Sequence, residues 1–324
     1  MKLGRRKFLR VAVGAVALPT VSRIATAQTY PLRPITMIVP LAAGTLTDVV
    51  GRVVAERMGK SLRQPAIIDN ITGAAGSIGV GRAARATPDG YTIALGNLGT
   101  LVLNGALYSL PYDVLNDFTS IAALVTSSDV LFARRTMPAR DLRELIAWLK
   151  ANPDKASAGI YASVHHLVTV AFRKETGTQF TLVPYRAGAI QDLVGGQIDL
   201  LFSTADQLPL VSAGSAKAYA VTSDTRLPQA PDIPTFAEMG LPALSHSAWI
   251  GLFAPKGTPK DIIVKLNSAV VEALADPAVQ SRLLELGQEI FPRERQTPEA
   301  LAAMQKADAQ KWWPLIKEFG IKAE

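Results

Sequence analysis

The chain contains no cysteine. That excludes disulfides, thiolate nucleophiles, cysteine-held iron–sulfur clusters and a lipidated-cysteine anchor. It fits an exported protein whose core needs no covalent staples. Histidine is almost as scarce, with His165, His166 and His246 the whole supply. Neighbouring residues on a helix point about 100° apart, so His165 and His166 make a poor metal pair. No H-E-x-x-H and no Cys/His cluster occurs, which leaves no zinc-type site to propose. Also missing is G-x-x-x-x-G-K-[ST], which removes a P-loop NTPase. Ser163 close to His165 suggests a nucleophile and base, but no G-x-S-x-G elbow is present and a serine at a helix start serves as a cap. Gly73 to Gly79 is glycine-rich, yet the G-x-G-x-x-G spacing fails, which weakens a dinucleotide reading.

Long apolar runs are missing as well. The N-terminal apolar stretch, Val11 to Leu18, is far short of the ~20 residues a spanning helix needs. It follows Arg5-Arg6-Lys7-Phe8-Leu9-Arg10 and precedes Ala25-Thr26-Ala27. Basic region, short apolar run and small-residue site, in that order, read as a twin-arginine signal peptide over 1–27, cut after Ala27. Residues 1–27 hold six basic side chains and no acid, so the rest carries 28 basic and 27 acidic side chains, a net charge of +1 against +7 for the whole chain. The basic balance therefore belongs to the leader, and no nucleic-acid partner is expected.

About 300 residues lie beyond that leader. A single core stops growing near ~250–300 residues, so two lobes are expected. Apolar strands alternate with amphipathic helices, the pattern of an α/β fold. Asp141 is placed to cap a helix whose Leu142, Leu145, Ile146 and Leu149 share one face. Thr297-Pro298-Glu299 combines a cap, a proline at the first helical position and an acid in the first turn, opening a helix to about Phe319. The apolar run Ala248 to Phe253 reads as a strand returning to the first lobe, and Trp249 within it suits a cleft wall or the core equally.

The sequence is organised around two small-residue loops. Ile35 to Val39 reads as a buried strand, Pro40 to Asp48 as a loop and helix start with Thr47 at the cap, and Val50, Val53, Val54, Met58 and Leu62 recur at helical spacing. Ala66 to Asn70, then Gly73-Ala74-Ala75-Gly76-Ser77, repeats the arrangement. Two helix N-termini behind loops without bulky side chains form a place for an anion, because their first N–H groups lack helical partners and the dipole favours negative charge. Gly96 to Thr100 is a third such loop.

The chain resembles the Bug-type (TctC-like) periplasmic solute-binding receptors of tripartite tricarboxylate transporters, along nearly all of its length beyond the leader. The resemblance is carried by Tyr30-Pro31-Leu32-Arg33-Pro34-Ile35, the Pro40 to Asp48 loop, Asp69-Asn70 with Gly73 to Gly79, and Pro88-Asp89-Gly90-Tyr91-Thr92. It continues through Leu110-Pro111-Tyr112-Asp113, Ser163-Val164-His165-His166, Val183-Pro184-Tyr185-Arg186, Leu193 to Leu200, Asp232-Ile233-Pro234-Thr235 and Trp249 to Pro255. It implies a two-lobe, type II periplasmic binding fold, with lobe 1 from 28–124 and 250–324 and lobe 2 from 125–249. In that setting Leu41, Ala43, Gly44, Thr45 and Asp48, with Gly73, Ala74, Ala75, Gly76 and Ser77, would hold a ligand carboxylate. Asn97 and Thr100 would join them, with Ser163, Tyr185, Gly188, Ser203 and Trp249 completing the cleft. The usual family pattern differs in three places: Thr45-Leu46 follow Gly44 where glycines are common, Ala75 replaces a glycine, and Ser203-Thr204 stand where Asp-Asn is frequent.

The expected function is a monomeric periplasmic receptor that takes a small carboxylate to integral membrane transporter subunits, with no cofactor, no metal and no catalysis. A periplasmic cofactor-dependent enzyme, or a sensor subunit on the same fold, stays as the alternative.

Overall fold

A computed structural model describes residues 30–160, 164–185 and 188–321. The first strand, β1 (Ile35–Val39), leads through a short loop into α1 (Leu46–Leu62), then β2 (Ala66–Asn70), α2 (Ser77–Ala84), β3 (Thr92–Asn97), the short α3 (Asn104–Leu107) and the long β4 (Phe118–Ser127). The chain then enters β5 (Asp129–Arg134), α4 (Leu142–Ala151), β6 (Ser157–Ile160), α5 (Val164–Thr176), β7 (Thr181–Pro184), α6 (Ala189–Gly195), β8 (Leu200–Thr204), α7 (Pro209–Ser212) and β9 (Ala216–Val221). It returns through β10 (Ala248–Pro255), α8 (Lys260–Ala275), α9 (Pro277–Glu285), β11 (Glu289–Ile290) and α10 (Pro298–Glu318). This is a two-lobe α/β fold with one sheet per lobe. The first sheet runs β11-β4-β10-β3-β1-β2 and the second β7-β6-β8-β5-β9.

Helical periodicity is borne out where it was strongest. On α1, Val50, Val54, Met58 and Leu62 are buried against Ile35, Met37 and Val39 of β1 and against α8 through Ile263, Leu266 and Val270. Asp141 caps α4 by accepting from the Glu144 amide at 2.9 Å, and Thr297 caps α10 from Ala300 at 3.1 Å. The cap of α1 differs from expectation. It is Thr45, with extended backbone, so the helix starts at Leu46 and Thr47 and Asp48 fall inside its first turn. The second lobe closes on an aromatic group in which Phe172 meets Phe180, Phe202 and Phe236 with ring centres 6.3, 6.0 and 6.2 Å away.

The register fixes which ends of the strands meet. β1, β2 and β3 are parallel, so their C-terminal ends share one edge. β10 runs antiparallel to β3 with Ile250 opposite Asn97, and Ala248 pairs with Ser127, so both connections between the sheets leave from that same edge. In the second sheet Asp129 pairs with Thr204, and β6 and β7 run parallel to β8, so the strand ends at Ile160, Pro184 and Thr204 also gather where the chain enters. The C-terminal ends of the parallel strands in both lobes therefore lie on the side of the crossings.

Candidate functional site

The first-lobe wall is built by Asp48. Its carboxylate is buried, 1% exposed. Oδ2 accepts the Gly44 amide at 2.8 Å and Arg52 Nε at 2.9 Å, and Oδ1 accepts Asn70 Nδ2 at 2.8 Å. Asn70 also donates to the Leu41 carbonyl at 3.0 Å and accepts from Arg52 at 3.0 Å. Burial opposes ionisation of Asp48, but the hydrogen bonds from Arg52, Gly44 and Asn70 outweigh it and hold the carboxyl down at about 2. The loop is thus locked from behind, and Arg52 is spent on Asp48. Thr45 closes the loop from the other side, its hydroxyl donating to the Ala42 carbonyl at 2.8 Å. Ala43 and Gly44 are exposed, and Gly44 has a left-handed φ of +83° with nothing within 4 Å of the place a side chain would occupy.

The second loop has unusual backbone. Gly73, Ala74, Ala75 and Gly76 all have positive φ, at 116, 46, 51 and 89°. For the two alanines this is a sparsely populated region that persists only where surroundings impose it. The support is visible. Asn104 Nδ2 donates to the Ala75 carbonyl at 2.9 Å and lies 3.4 Å from Ser77 Oγ. Gly76 packs so closely that an added Cβ would lie 2.9 Å from Thr100 Cγ2 and 3.1 Å from the Pro40 carbonyl. Thr100 and Asn97 bind each other, amide to side chain, at 2.9 and 3.1 Å, and Asn97 reaches Thr47 at 3.3 Å. The three loops form one interlocked wall, with the N-termini of α1 and α2 behind it.

In the second lobe, Tyr185 donates its hydroxyl to Asp192, and Gly188 (φ +87°) precedes α6 with open space at its Cα. Ser203 lies in β8 opposite Val130. Ser163, with Tyr161, Ala162, Arg186 and Ala187, lies outside the described residues. Trp249 is 2% exposed, gives its Nε1–H to Asp308 at 2.7 Å and packs with Leu98, Leu101 and Phe253.

Several contributors carry no local signal in the sequence. Asn104 lies 29 residues from the carbonyl it binds. At the crossings, Asp129 accepts from His165 Nε2 at 3.2 Å and His246 Nε2 at 3.1 Å. Burial opposes ionisation of Asp129, yet His165 and His246 hold it well below the usual carboxylate range; burial likewise opposes charge on His165, and Asp129 raises it. Arg52 does carry a local signal, unused in the sequence reading, in its place four residues from Asp48 on one helix face. Among the described residues no group of three potential ligands is arranged for a metal, and no described helix is long and apolar enough to cross a membrane.

Two sheets joined by a double crossing give the two-lobe α/β architecture that solved solute-binding proteins share. The chain belongs to the tripartite tricarboxylate transporter receptor family, whose description matches residues 50–321. It is 33% identical to the protein BugT of Bordetella pertussis over 96% of this chain and 95% of that one. Among solved structures it is similar to MatC from Rhodopseudomonas palustris with bound malate, at 35% identity, covering 89% of this chain and 100% of that chain, with a TM-score of 0.71. The R. palustris protein Rpa4515 with adipate is 30% identical over 90% and 99% of the two chains, with a TM-score of 0.73. The matched family is described as a receptor family, and a further similar structure is the periplasmic binding protein BugD, 36% identical, covering 91% of this chain and 100% of that chain, with a TM-score of 0.71.

Proposed function

We propose that this chain is a periplasmic receptor that closes on a small organic acid and delivers it to a tripartite tricarboxylate-type membrane transporter. The observation that carries the reading is the wall formed by the 41–48 and 73–77 loops. It is built on two helix N-termini, neither loop contains a Lys or Arg, and Arg52 on α1 is bound to Asp48. A carboxylate there is held by N–H groups and dipoles, with no need for a particular side chain. A few charge-assisted hydrogen bonds at ~1.5–3 kcal/mol each, with burial of the ligand body, reach the ~8 kcal/mol of micromolar affinity. The malate and adipate bound by the two relatives support the carboxylate class. We take the lobes to divide at Ser128 and again just before Ala248, rather than at 124/125 and 249/250, because β4 runs to Ser127 and β10 starts at Ala248; Leu41, Ala43, Gly44, Thr45, Gly73 to Ser77, Asn97 and Thr100 belong to the first lobe and Tyr185, Gly188 and Ser203 to the second. Asp48 acts from behind, holding the loop. Export by the twin-arginine route, with the cut after Ala27, completes the proposal.

Thermal-shift and calorimetric titration with mono-, di- and tricarboxylates tests it. Saturable binding of at least one such acid is expected. Binding of amines or sugars in place of every acid would overturn it.

A further inference from the structure

Helix α10 is fastened to the first lobe along one face. Gln305 donates to the carbonyls of Leu101 and Val114 at 2.9 Å each, Trp313 gives its Nε1–H to the Val102 carbonyl at 2.9 Å, and Leu301, Trp312 and Ile316 are buried. Beside that face, between α10 and the chain at Leu115, lies a groove of about 640 Å³ walled by Leu115, Ala309, Trp313 and Pro314. A second hollow of about 590 Å³ continues it past Phe118, Ala302 and Pro298, and the two share Leu115 and Lys306. The walls are hydrocarbon: Trp313 spends its only donor inward, so its ring is what lines the groove. Lys306 and Lys317 bound the stretch of α10 that lines the first hollow. Eleven residues are close to three whole turns, so both project from one face, about 16 Å apart along the helix. Both are exposed, and neither has an ion-pair partner among the described residues. No acid lines the first hollow. The neighbouring acids of α10 are engaged elsewhere, Asp308 accepting from Trp249 at 2.7 Å and Glu318 binding Lys174 at 2.7 Å. Pro314, inside the helix, has no N–H for the Gln310 carbonyl four residues back, so the middle of the groove carries a backbone acceptor whose α-helical donor is missing.

We infer that this groove is the surface on which the receptor docks an acidic segment of the integral membrane transporter subunits, with apolar side chains between its carboxylates. The inference rests on the transport reading above and names the surface that reading requires. Charge complementarity selects the occupant. Two unpaired cations about 16 Å apart on one helix face are met together by a chain segment carrying acids a few turns apart, whereas a single small acid reaches one of them. Hydrocarbon between the cations calls for hydrocarbon between the acids, and burying it supplies the part of the attraction that salt does not screen. The trough follows α10 from Pro298 to Lys317, about 29 Å of helix, a length that suits a polypeptide segment laid along it. The charges steer the encounter and fix its register.

Cells deleted for this chain and complemented with the full chain test the inference by uptake of radiolabelled adipate, or of malate where adipate does not bind. The Lys306→Glu, Lys317→Glu double variant should bind the same acid within about twofold of wild type by calorimetry, since neither residue belongs to the ligand loops, and should lower uptake at least about tenfold, since it sets like charges against the partner's acids. Uptake equal to wild type overturns the inference and leaves the transport reading standing. A parallel loss of acid binding also overturns it, because the effect then lies in the fold. If wild type restores no uptake, the transport reading fails and the inference with it. The occupant is identified separately. The chain has no cysteine, so Gln310→Cys puts a single thiol in the groove for a benzophenone label, and irradiation with membranes of the same cells should join it to an integral membrane subunit. Absence of that adduct overturns the inference, whether the label instead captures phospholipid, a second copy of the chain or water.

Discussion

His246 and Asp129 meet across the two connections between the lobes. His246 Nε2 lies 3.1 Å from Asp129 Oδ2, although 117 residues separate them, and Nδ1 lies 3.2 Å from the Leu244 carbonyl. Asp129 opens β5 immediately after the first crossing, and His246 stands two residues before β10. Thr222 completes the joint: it gives its amide to the Asp129 carbonyl at 2.9 Å, takes the Asp129 amide on its hydroxyl at 2.9 Å, and takes the His246 amide on its carbonyl at 2.7 Å. Replacing Asp129 by Asn leaves two histidines facing a neutral amide in a buried site. A loss of about 3 kcal/mol in unfolding free energy is expected, measured by urea denaturation. A change below about 0.5 kcal/mol would show that the joint does not depend on the charge.

The same group predicts an alkaline dependence. Asp129 raises the pKa of His165 in the folded chain, so its stabilisation is fully present below the unfolded histidine value of ~6.5 and is lost as pH rises through the folded value. The melting temperature of wild type minus that of His165→Gln should be largest near pH 6 and shrink toward pH 9. A constant difference would show that His165 acts by packing alone.

Asp48 should behave oppositely. Its folded carboxyl is held at about 2, so its contribution is present above the unfolded value of ~3.9 and is lost as pH falls through about 2. Asp48→Asn is expected to destabilise the chain at neutral pH by about 2–3 kcal/mol, with the gap to wild type closing between pH 4 and 2, where acid unfolding is followed by fluorescence. The variant should also bind acids more weakly, since Gly44 loses its anchor.

Two glycines separate packing from ligand contact. Gly76→Ala forces a Cβ against Thr100 and the Pro40 carbonyl at positive φ, and should cost about 1–3 kcal/mol of stability. Gly44→Asn places a residue that tolerates positive φ into open space. It should leave stability within about 1 kcal/mol while lowering affinity for adipate or whichever acid binds, because the new side chain fills the approach to the loop backbone. Unchanged affinity in Gly44→Asn would remove the 41–48 loop from the site.

Export is tested in cells. Arg5→Lys combined with Arg6→Lys should block processing, because the adjacent pair is read as an address. Normal maturation and periplasmic recovery of that double variant would exclude the twin-arginine route.

The sequence made α1, α4, α8 and α10 legible because each buries one stripe, and the caps at Asp141 and Thr297 lie in local patterns. The two loops stood out for a similar reason: small residues follow an apolar strand and precede a helical repeat. α6 went unseen, since seven residues between glycines offer too little period to read, as did the two-residue β11. Thr45 was passed over as a cap in favour of Thr47, because the apolar repeat of α1 begins only at Val50. The Asp129–His246 pair was out of reach for a different reason. No periodicity joins residues 117 apart; only the pairing of β4 with β10 and of β5 with β8 brings them together.

Ser128 is the whole of the first connection, one residue between the end of β4 and the start of β5. A joint that short transmits rotation but has no slack for translation. If the lobes turn about this joint, the opening between them is a wedge, narrow at Asp129 and widest at the far rim. In such a wedge the length of the bound molecule sets the angle at which turning stops. The outer faces of the two lobes then carry that angle as their relative tilt, a shape another protein can read without ever touching the molecule inside.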